Sequence, residues 1–426
     1  MVNDTLFLQF HTLTPFAASL LNRDDLGRAK RMPYGGASRV RVSSQCLKRH
    51  WRDAASTWSL QNLLDPGAGA TAPGTVRSRK IISRLVAKPL VEEGFAVGEV
   101  IAVLDALKGA MLGESKKAKA EKANAEKGGK KPKAAAPSDA REDTATLERQ
   151  LEDALDTNQV IVLGQPEIAF IHRSAAELLR QQPNDLDAAV RVYIKTHGAN
   201  FKTMRLASGL DAALFGRMVT SDILARGDGA IHVAHALTVH AEEAEPDYFV
   251  AIDDITRKAG ELGTGLIQTT ELTSGLFYGN VVIDVPLLVS NLEGVAPEQW
   301  RGADRRLAAK VVEHLVHLIA TISPGAKRGS TAPYGYADLV LAEAGTRQPR
   351  SLMTAFHHPV PKPDARVKAV AALADHMTRF DGMYGREEAR QVAALLEIAD
   401  MPAERSVNGL PGLARWAADQ VAADAA

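Results

Sequence analysis

The spacing of hydrophobic and polar residues predicts a chain that combines strands with helices. Alternation of the two classes predicts four strands, at Thr5–Leu13, Ile231–Val239, Leu276–Asp284 and Tyr336–Ala342. We expect the first of these strands to be half-buried. Helical spacing predicts a helix that begins at Ser43 or Ser44 and continues to Trp58, and further helices at Arg305–Ile322 and Leu410–Val421.

The order of these elements predicts the fold class. They read strand, helix, insertion, strand, long connection, strand, helix and strand, and residues 367–426 are predicted to be helical. This is the order of the ferredoxin-like split unit, whose RNA-binding version is the RNA recognition motif (RRM). We therefore predict an α+β protein with a ferredoxin-like or RRM-like sheet and a helical insertion.

Composition restricts the class of protein and its compartment. The 426 residues include 51 Lys and Arg and 51 Asp and Glu, which excludes a uniformly basic protein and an acidic disordered one. A single cysteine, Cys46, excludes a disulfide framework and favours a reducing cytoplasm. No apolar run reaches the roughly 20 residues that cross a bilayer, and Leu6–Leu21 lacks the basic start of a signal peptide. We expect a cytoplasmic protein without a membrane partner.

The neutral total is a sum of opposed blocks of charge. Nine basic and two acidic residues lie between Arg23 and Arg52, and seven acidic and two basic residues lie between Glu242 and Glu261. Eight lysines and two glutamates lie between Lys116 and Lys133. The low-complexity segment 114–140 around this last block is predicted to be a flexible insertion, either a simple tether or a loose attraction for nucleic acid.

The segment Leu21–Arg52 carries the strongest chemical signal. A Gly35-Gly36 pair allows a close backbone approach to a ligand, and Arg39 and Arg41 would point the same way on an extended segment. Ser43, Ser44 and Gln45 would place small polar groups and free amides at a helix N-terminus, which favours a phosphate. Lys48 and Arg52 repeat one turn apart and extend the positive surface. Such a site follows a phosphate backbone and reads no bases.

The same segment resembles a known family. The run NRDD, followed by GG-x-x-R-x-R-x-SSQ-x-LKR-x-x-R, is similar to CasC, the repeated backbone subunit of the type I-E CRISPR Cascade complex. The resemblance continues in family order through five further blocks, at Phe215–Asp222, Ala234–His240, Asp247–Asp254, Glu271–Tyr278 and Pro324–Lys327. Residues 61–200 match poorly, and the Lys-rich insertion departs from the family pattern.

The resemblance implies a hand-shaped subunit that assembles along a CRISPR RNA. An RRM-like palm would carry inserted helical fingers and a thumb that reaches the neighbouring copy and displaces a base. The implied parts are a palm at 1–60, fingers at 61–228, a palm strand at 229–240, a thumb at 241–274, and the rest of the palm with C-terminal helices at 275–426. The implied partners are CRISPR RNA, a target DNA strand that pairs with the guide, copies of the chain and other Cascade subunits.

The resemblance and the charge pattern together select the candidate residues. The candidate RNA-binding residues are Arg23, Lys30, Arg39, Arg41, Ser43, Ser44, Gln45, Lys48, Arg49, Arg52, Arg217, Met218 and Lys327. Met218 would wedge beside a displaced base, and Tyr248, Phe249 and Val250 hold the thumb positions that resemble those at the kink. Core packing is the alternative for Met218 and for the thumb aromatics. The resemblance implies no catalytic residue, no metal and no cofactor.

Two other functions remain open on the sequence alone. A metal-dependent nuclease would use His232, His235 and His240 with Asp253 and Asp254, although alternation on a strand turns His235 away from the other two. A DNA-binding regulator would use the helix over residues 44–58. The pair Asp24-Asp25 is typical of an ion-paired loop, and Cys46 sits among packing residues, where thiols are usually inert.

Overall fold

The structure, a computed structural model, describes residues 5–63, 75–112, 140–181, 185–203, 210–216, 228–252, 264–398 and 400–422. The chain divides into two compact units. The sheet unit comprises Met1–Leu63, Ile231–Pro286 and Arg301–Ala426. The helical unit comprises Leu64–Ala230 and Leu287–Trp300, so it includes a short segment that the sequence assigned to the palm.

The described residues form strands and helices throughout the chain, which confirms the α+β class. The strands are β1 Phe7–Ser19, β2 Arg31–Tyr34, β3 Ala37–Val42, β4 Thr75–Ser78, β5 Ile161–Gly164, β6 Ile231–Val233, β7 Ala236–Thr238, β8 Ala244–Ile252, β9 Thr264–Asp284, β10 Leu339–Gly345, β11 Ala389–Ala394 and β12 Glu404–Arg405. The helices are α1 Ser44–Arg52, α2 Lys88–Glu92, α3 Val97–Leu112, α4 Ala140–Leu155, α5 Gln165–Gln181, α6 Leu186–Thr203, α7 Leu210–Phe215, α8 Val285–Glu293, α9 Arg306–Thr321, α10 Arg328–Thr331, α11 Ala365–Tyr384 and α12 Gly409–Asp419.

One sheet organises the sheet unit. Its strands lie in the order β12, β11, β10, β1, β9, β7, β3 and β2, with β6 and β8 also paired to β9. The four strands that the sequence predicts meet at its centre, where β1 pairs antiparallel with β10 on one side and with β9 on the other. The second predicted strand is divided into β6 and β7, which pair in turn with β9.

Helices cover both faces of this sheet. On one face, Leu47 and Trp51 of α1, Ile319 of α9 and the strand residues Thr12 and Phe277 line a common cavity. On the other face, Leu13, Tyr278, Leu341 and Val392 pack against residues of α11, among them Leu373 and Met377. Because alternate residues of a strand point to opposite faces, Leu8–Leu13 of β1 and Leu276–Ile283 of β9 are covered on both sides. The expectation of a half-buried first strand is therefore wrong.

Two further expectations about local structure are also wrong. Helix α1 ends at Arg52, not at Trp58, and Trp58 instead stacks on His317 with ring centroids 3.6 Å apart. Residues 367–426 contain β11 and β12 as well as helices. In both cases the partner lies far away in the sequence, on α9 or on β10, so no local pattern reports it.

A buried network of charged side chains joins β1, β9, β10 and β11. The carboxylate of Glu343 accepts from Arg390 Nε at 2.6 Å, from an Arg350 guanidinium nitrogen at 2.8 Å, and lies 3.1 Å from His11 Nε2. His11 Nδ1 lies 2.8 Å from the Tyr278 hydroxyl. Burial alone would raise the pKa of Glu343, but the contacts with His11 and the two arginines lower it to about 2. The carboxylate is thus ionised in the folded protein.

The helical unit has a core of its own. Leu90, Leu104, Leu151 and Leu163 are among the buried side chains of this core. Ion pairs tie α4 to the segment before and within α2, since Glu152 accepts from Lys80 at 2.6 Å and Glu148 from Lys88 at 2.6 Å. None of the helices within the described ranges has the length and apolar character that crossing a membrane requires.

Replacement of Glu343 tests how much the buried network contributes to the free energy of unfolding. Glu343→Gln keeps the shape but leaves Arg390, whose side chain is fully buried, without one of its anionic partners. We expect the free energy of unfolding to fall by about 3 kcal/mol or more, measured by urea denaturation. The matched control Glu404→Gln, at an exposed position of β12, should stay within about 0.5 kcal/mol of the parent. Equal effects of the two substitutions would contradict this account.

Candidate nucleic-acid interface

The Gly35-Gly36 pair forms the turn of a β-hairpin. Tyr34 pairs with Ala37 across the turn, and both glycines have positive φ, +60° and +78°, as a type I′ turn requires. A Cβ on Gly35 would collide with the carbonyl oxygen of His357. The close backbone approach that the pair predicts is present, but the group approached belongs to the same chain rather than to a ligand.

Arg39 is buried beneath this hairpin and removed from solvent. Its exposed fraction is 0%, and its guanidinium donates to the carbonyl oxygens of Thr238 at 2.9 Å and Phe356 at 3.0 Å. Burial lowers the pKa of Arg39 from its ordinary value. The prediction that Arg39 contacts an RNA backbone is therefore corrected, because its hydrogen-bonding groups are directed at the protein interior.

The N-terminus of α1 is built as the sequence predicts. Ser43 caps the helix, with its hydroxyl accepting from Cys46 N at 3.4 Å, and its own N–H donates to the side chain of Asn22 at 3.0 Å. The backbone amides of Ser44 and Gln45 precede the first intrahelical hydrogen bond, so the helix does not consume them. Asn22 is a positioning residue that sequence reasoning missed, although its place at the start of the basic loop was visible.

The loop between Asn22 and Lys30 is a rigid turn. Asp24 Oδ1 accepts from the amides of Leu26 at 3.0 Å and Arg28 at 2.9 Å, and Lys30 N donates to the Asn22 carbonyl at 2.9 Å. The carboxylate of Asp24 is therefore committed to its own loop. This geometry holds Arg23, which is exposed, at the base of the turn.

Lys30 and Arg41 form a positive cluster beside the same end of α1, next to His235. Arg41 N donates to the Lys30 carbonyl at 2.7 Å, and an Arg41 guanidinium nitrogen lies 3.0 Å from His235 Nδ1. Burial is the main cause that lowers the pKa of His235, and the positive charges of Arg41 and Lys30 lower it further. The ring is therefore neutral. Within the described ranges, neither Lys30 nor Arg41 forms an ion pair with a carboxylate. The positive charges of Lys30 and Arg41 are therefore not balanced by a paired carboxylate in the part of the chain that the structure describes.

The remaining basic residues of α1 differ in their exposure and in their contacts with Asp53. Arg49 is mostly exposed and lies 3.5 Å from Asp53, whereas Arg52 is largely buried and donates to the same carboxylate at 2.9 Å. Lys48 lies at an intermediate depth one turn before Arg52. Burial raises the pKa of the Cys46 thiol, and this effect exceeds the lowering by the positive charges of Lys30 and Arg49. The thiol therefore remains protonated at neutral pH.

Lys327 lies on a different element of the sheet unit. Its ammonium group donates to the Thr270 hydroxyl at 2.6 Å, and the neighbouring Ala326 N donates to the Leu20 carbonyl at 2.9 Å. Leu20 stands two residues before Asn22, so Lys327 is brought close to the basic loop even though about 300 residues of sequence separate them.

The predicted thumb is a long β-hairpin. Strand β8 pairs along its length with the first part of β9, from Ala244 opposite Thr273 to Ile252 opposite Thr264. Tyr248 is 63% exposed, and Phe249 and Val250 follow it on β8. The sequence placed the start of the third strand at Leu276, twelve residues too late, because Thr264–Gly275 is mostly threonine, glycine and other polar residues and shows no clear alternation.

Part of the acidic block is neutralised within the chain. Within the block, Glu242 pairs with Arg31 and Glu243 pairs with Lys362. Glu271 of β9, which follows the block, also pairs with Arg31. Ser38 also donates to Glu242 at 2.6 Å. The contacts of Glu242 and Glu271 fasten the base of the β8–β9 hairpin to β2 and β3.

Several candidate positions lie outside the described residues. These are Arg217, Met218, Asp253, Asp254 and segment 114–139 of the Lys-rich insertion. Their predicted roles stay predictions.

The three histidines of the nuclease hypothesis have separate surroundings. His240 is buried, with Nδ1 donating to the Ala241 carbonyl at 2.7 Å and Nε2 accepting from Leu276 N at 3.1 Å. Burial is the main cause that lowers its pKa. His232 is exposed on β6, and His235 faces Arg41. Where the structure describes the chain, no group of three or more His, Cys, Asp and Glu side chains is arranged to hold a metal ion.

Comparison with known proteins identifies the family. A sequence model of the family described as "CT1975-like protein" matches residues 8–413. The chain belongs to this family. The match covers both the sheet unit and the helical unit, and it includes the whole of the basic segment Leu21–Arg52. A search of curated protein sequences finds no match.

Two solved structures share the fold of this CT1975-like chain. One, described as "CRISPR RNA-guided surveillance complex, pre-nicking", is 25% identical with a TM-score of 0.70, and the match covers 97% of this chain and 100% of that one. The other, described as "CRISPR RNA-guided surveillance complex", is 20% identical with a TM-score of 0.53, covering 97% and 98%. The resemblance predicted from Leu21–Arg52 to a Cascade backbone subunit is confirmed.

Arg39→Lys separates a structural role of this residue from a binding role. A lysine has three donors and cannot reproduce the planar set of hydrogen bonds to the interior carbonyls. We expect the free energy of unfolding to fall by about 2 kcal/mol, while affinity of the folded protein for single-stranded RNA is unchanged. The control Arg41→Lys, which keeps the charge at a partly exposed site, should change stability by less than about 0.5 kcal/mol. Weaker RNA binding by a fully stable Arg39→Lys protein would contradict the correction.

Proposed function

We propose that the chain is a non-catalytic backbone subunit that binds CRISPR RNA in a type I-E Cascade surveillance complex. The observation that carries the proposal is the positive cluster of Lys30 and Arg41 beside the capped N-terminus of α1, to which no carboxylate among the described residues is paired. Free helix amides and unpaired cations together favour a phosphate. A row of such groups follows a nucleic-acid backbone and leaves its bases available.

The strand order of the sheet supports an RRM-like palm. The four central strands, taken in chain order as first to fourth, lie in the spatial order fourth, first, third and second. Helices α1 and α9 occupy the two connections in which the split βαβ unit has its helices. In this proposal the helical unit corresponds to the fingers and the β8–β9 hairpin to the thumb.

The proposal extends to assembly and to biological role. Copies of the chain would lie side by side along one RNA with other Cascade subunits, and the exposed guide bases would pair with a target DNA strand in antiviral defence in the cytoplasm. The two structural neighbours are themselves described as CRISPR RNA-guided surveillance complexes. The family match and the coverage of both chains support the transfer of this role.

Absence of catalysis is part of the proposal. His240 uses both ring nitrogens for backbone hydrogen bonds, and Nδ1 of His235 faces the positive charge of Arg41, which disfavours a metal cation at either ring. A metal-dependent nuclease predicts RNA or DNA cleavage that a chelator abolishes. We expect no cleavage with or without added Mg²⁺ or Mn²⁺.

The nucleic acid that accompanies the purified protein tests the proposal. The full chain should be produced together with a CRISPR array, purified at low salt and examined by its absorbance ratio at 260 and 280 nm. We expect bound RNA whose sequence consists of repeat and spacer. Protein free of RNA, or bound RNA of random cellular origin in the presence of the array, would contradict the proposal.

Removal of the two cations of this cluster should weaken RNA binding in a salt-dependent way. Lys30→Gln with Arg41→Gln should lower the slope of log affinity against log salt by roughly 1.4, about 0.7 for each lost phosphate contact. The loss should be the same for RNAs of different sequence. Fluorescence anisotropy with labelled single-stranded RNA measures both quantities.

A matched double variant controls for total charge. Lys368→Gln with Arg415→Gln removes the same number of positive charges from α11 and α12. It should leave the salt slope unchanged. An equal change in both double variants would mean that only the net charge of the protein matters.

A further inference from the structure

Two exposed tyrosines lie on a short segment outside the regular helices and strands. Tyr334 and Tyr336 lie between α10 and β10 and are 73% and 66% exposed. Single exposed apolar side chains are ordinary on a surface, but neighbouring ones that form a patch often mark an interaction site. Neither residue belongs to the candidate sites that the sequence selected.

The backbone between the two tyrosines is held rigidly against the sheet. Gly335 N donates to the Ser323 hydroxyl at 3.0 Å, and that hydroxyl donates to the Gly335 carbonyl at 2.7 Å. A Cβ on Gly335 would lie 2.5 Å from the Pro15 carbonyl oxygen, so this position faces the protein. The tyrosines on either side of Gly335 are mostly exposed, so their side chains face solvent.

Cationic residues begin the same loop. Arg328 is exposed, and Lys327 is held by its hydrogen bond to Thr270. The loop folds back on itself, because a Cβ on Gly325 would approach Pro333 Cγ to 2.6 Å and Arg328 Cγ to 3.2 Å. Arg328 and Pro333, the residue before Tyr334, are therefore both close to Gly325. We call Lys327, Arg328, Tyr334 and Tyr336 the tyrosine platform.

The tyrosine platform adjoins the N-terminal end of α1. Ala326, which precedes the platform, donates its N–H to the carbonyl of Leu20. Asn22 follows Leu20 by two residues, and its side-chain oxygen accepts a hydrogen bond from the N–H of Ser43, the cap of α1. Pro324 and Gly335 also line the same cavity as Leu47 and Trp51 of α1. A strand whose phosphates follow α1 would therefore pass within reach of the platform.

We propose that the tyrosine platform stacks on the bases of the RNA whose phosphates bind beside α1. The inference rests on the proposed function and adds a base-stacking surface to it. Aromatic rings accept any base by stacking, so the contact is independent of sequence. Rings held by a rigid backbone lose little conformational freedom on binding, and the adjacent cations favour a polyanion over a neutral protein surface.

Stacking predicts a specific pattern of affinities. Tyr334→Ala with Tyr336→Ala should weaken binding of labelled single-stranded RNA by roughly tenfold or more, without changing the slope of log affinity against log salt. Tyr334→Phe with Tyr336→Phe should bind as the parent does, since phenylalanine keeps the stacking face. The control Tyr384→Ala, which removes an exposed tyrosine of α11, should have no effect.

An abasic oligonucleotide of the same length makes the test independent of charge. The parent should bind this probe less tightly than RNA, and the double alanine variant should bind it as the parent does. Such a result would support the platform, because the tyrosines would then matter only when bases are present.

Three results would overturn the inference. Undiminished RNA affinity of the double alanine variant, with lost self-association by light scattering, would assign the tyrosines to a contact between protein copies. A reduced affinity that is equal for RNA and the abasic probe would indicate a change in structure instead of lost stacking. Failure of the parent to bind RNA would overturn the proposed function too, whereas normal salt-dependent binding through Lys30 and Arg41 would leave that function standing.

Discussion

A charge that leaves water must find a partner, and this constraint divides the cationic residues of the sheet unit into two groups. Arg39 and Arg390 are fully buried, and each is surrounded by carbonyl or carboxylate oxygens of the chain. Lys30 and Arg41 stand at the surface beside α1, and their own chain supplies no carboxylate to them within the described ranges. The first group determines how the sheet is held together, and the second leaves a positive surface for an external anion.

The two groups are connected through the long central strand. Strand β9 pairs with β1 through its second half and with β8 through its first half, so one continuous strand runs from the core into the hairpin. The pairs of Glu242 and Glu271 with Arg31 then fasten that hairpin to the start of β2. Because Arg39 of β3 anchors the same β2–β3 hairpin to the carbonyls of Thr238 and Phe356, the basic surface is held by groups that already have partners.

Local patterns in the sequence predicted those features of the fold that depend on residues close together in the chain. The cap at Ser43, the helix α9 and the positions of the central strands follow from such signals. What the sequence could not provide was the identity of distant partners. The spacing of Arg39 and Arg41 predicts one face of a strand, but only the segment around Phe356 and His357 decides that Arg39 is buried. Gly35 predicts a close approach, and the approaching group again comes from His357.

The central claim is that single-stranded RNA lies along the surface formed by Lys30, Arg41 and the N-terminus of α1. Photochemical cross-linking of the protein to RNA, followed by mass spectrometry of the attached peptides, tests this most directly. The account predicts cross-links in peptides from residues 22–52 and 323–336. Cross-links confined to the opposite, α11-covered side of the sheet, with these peptides unmodified, would contradict it.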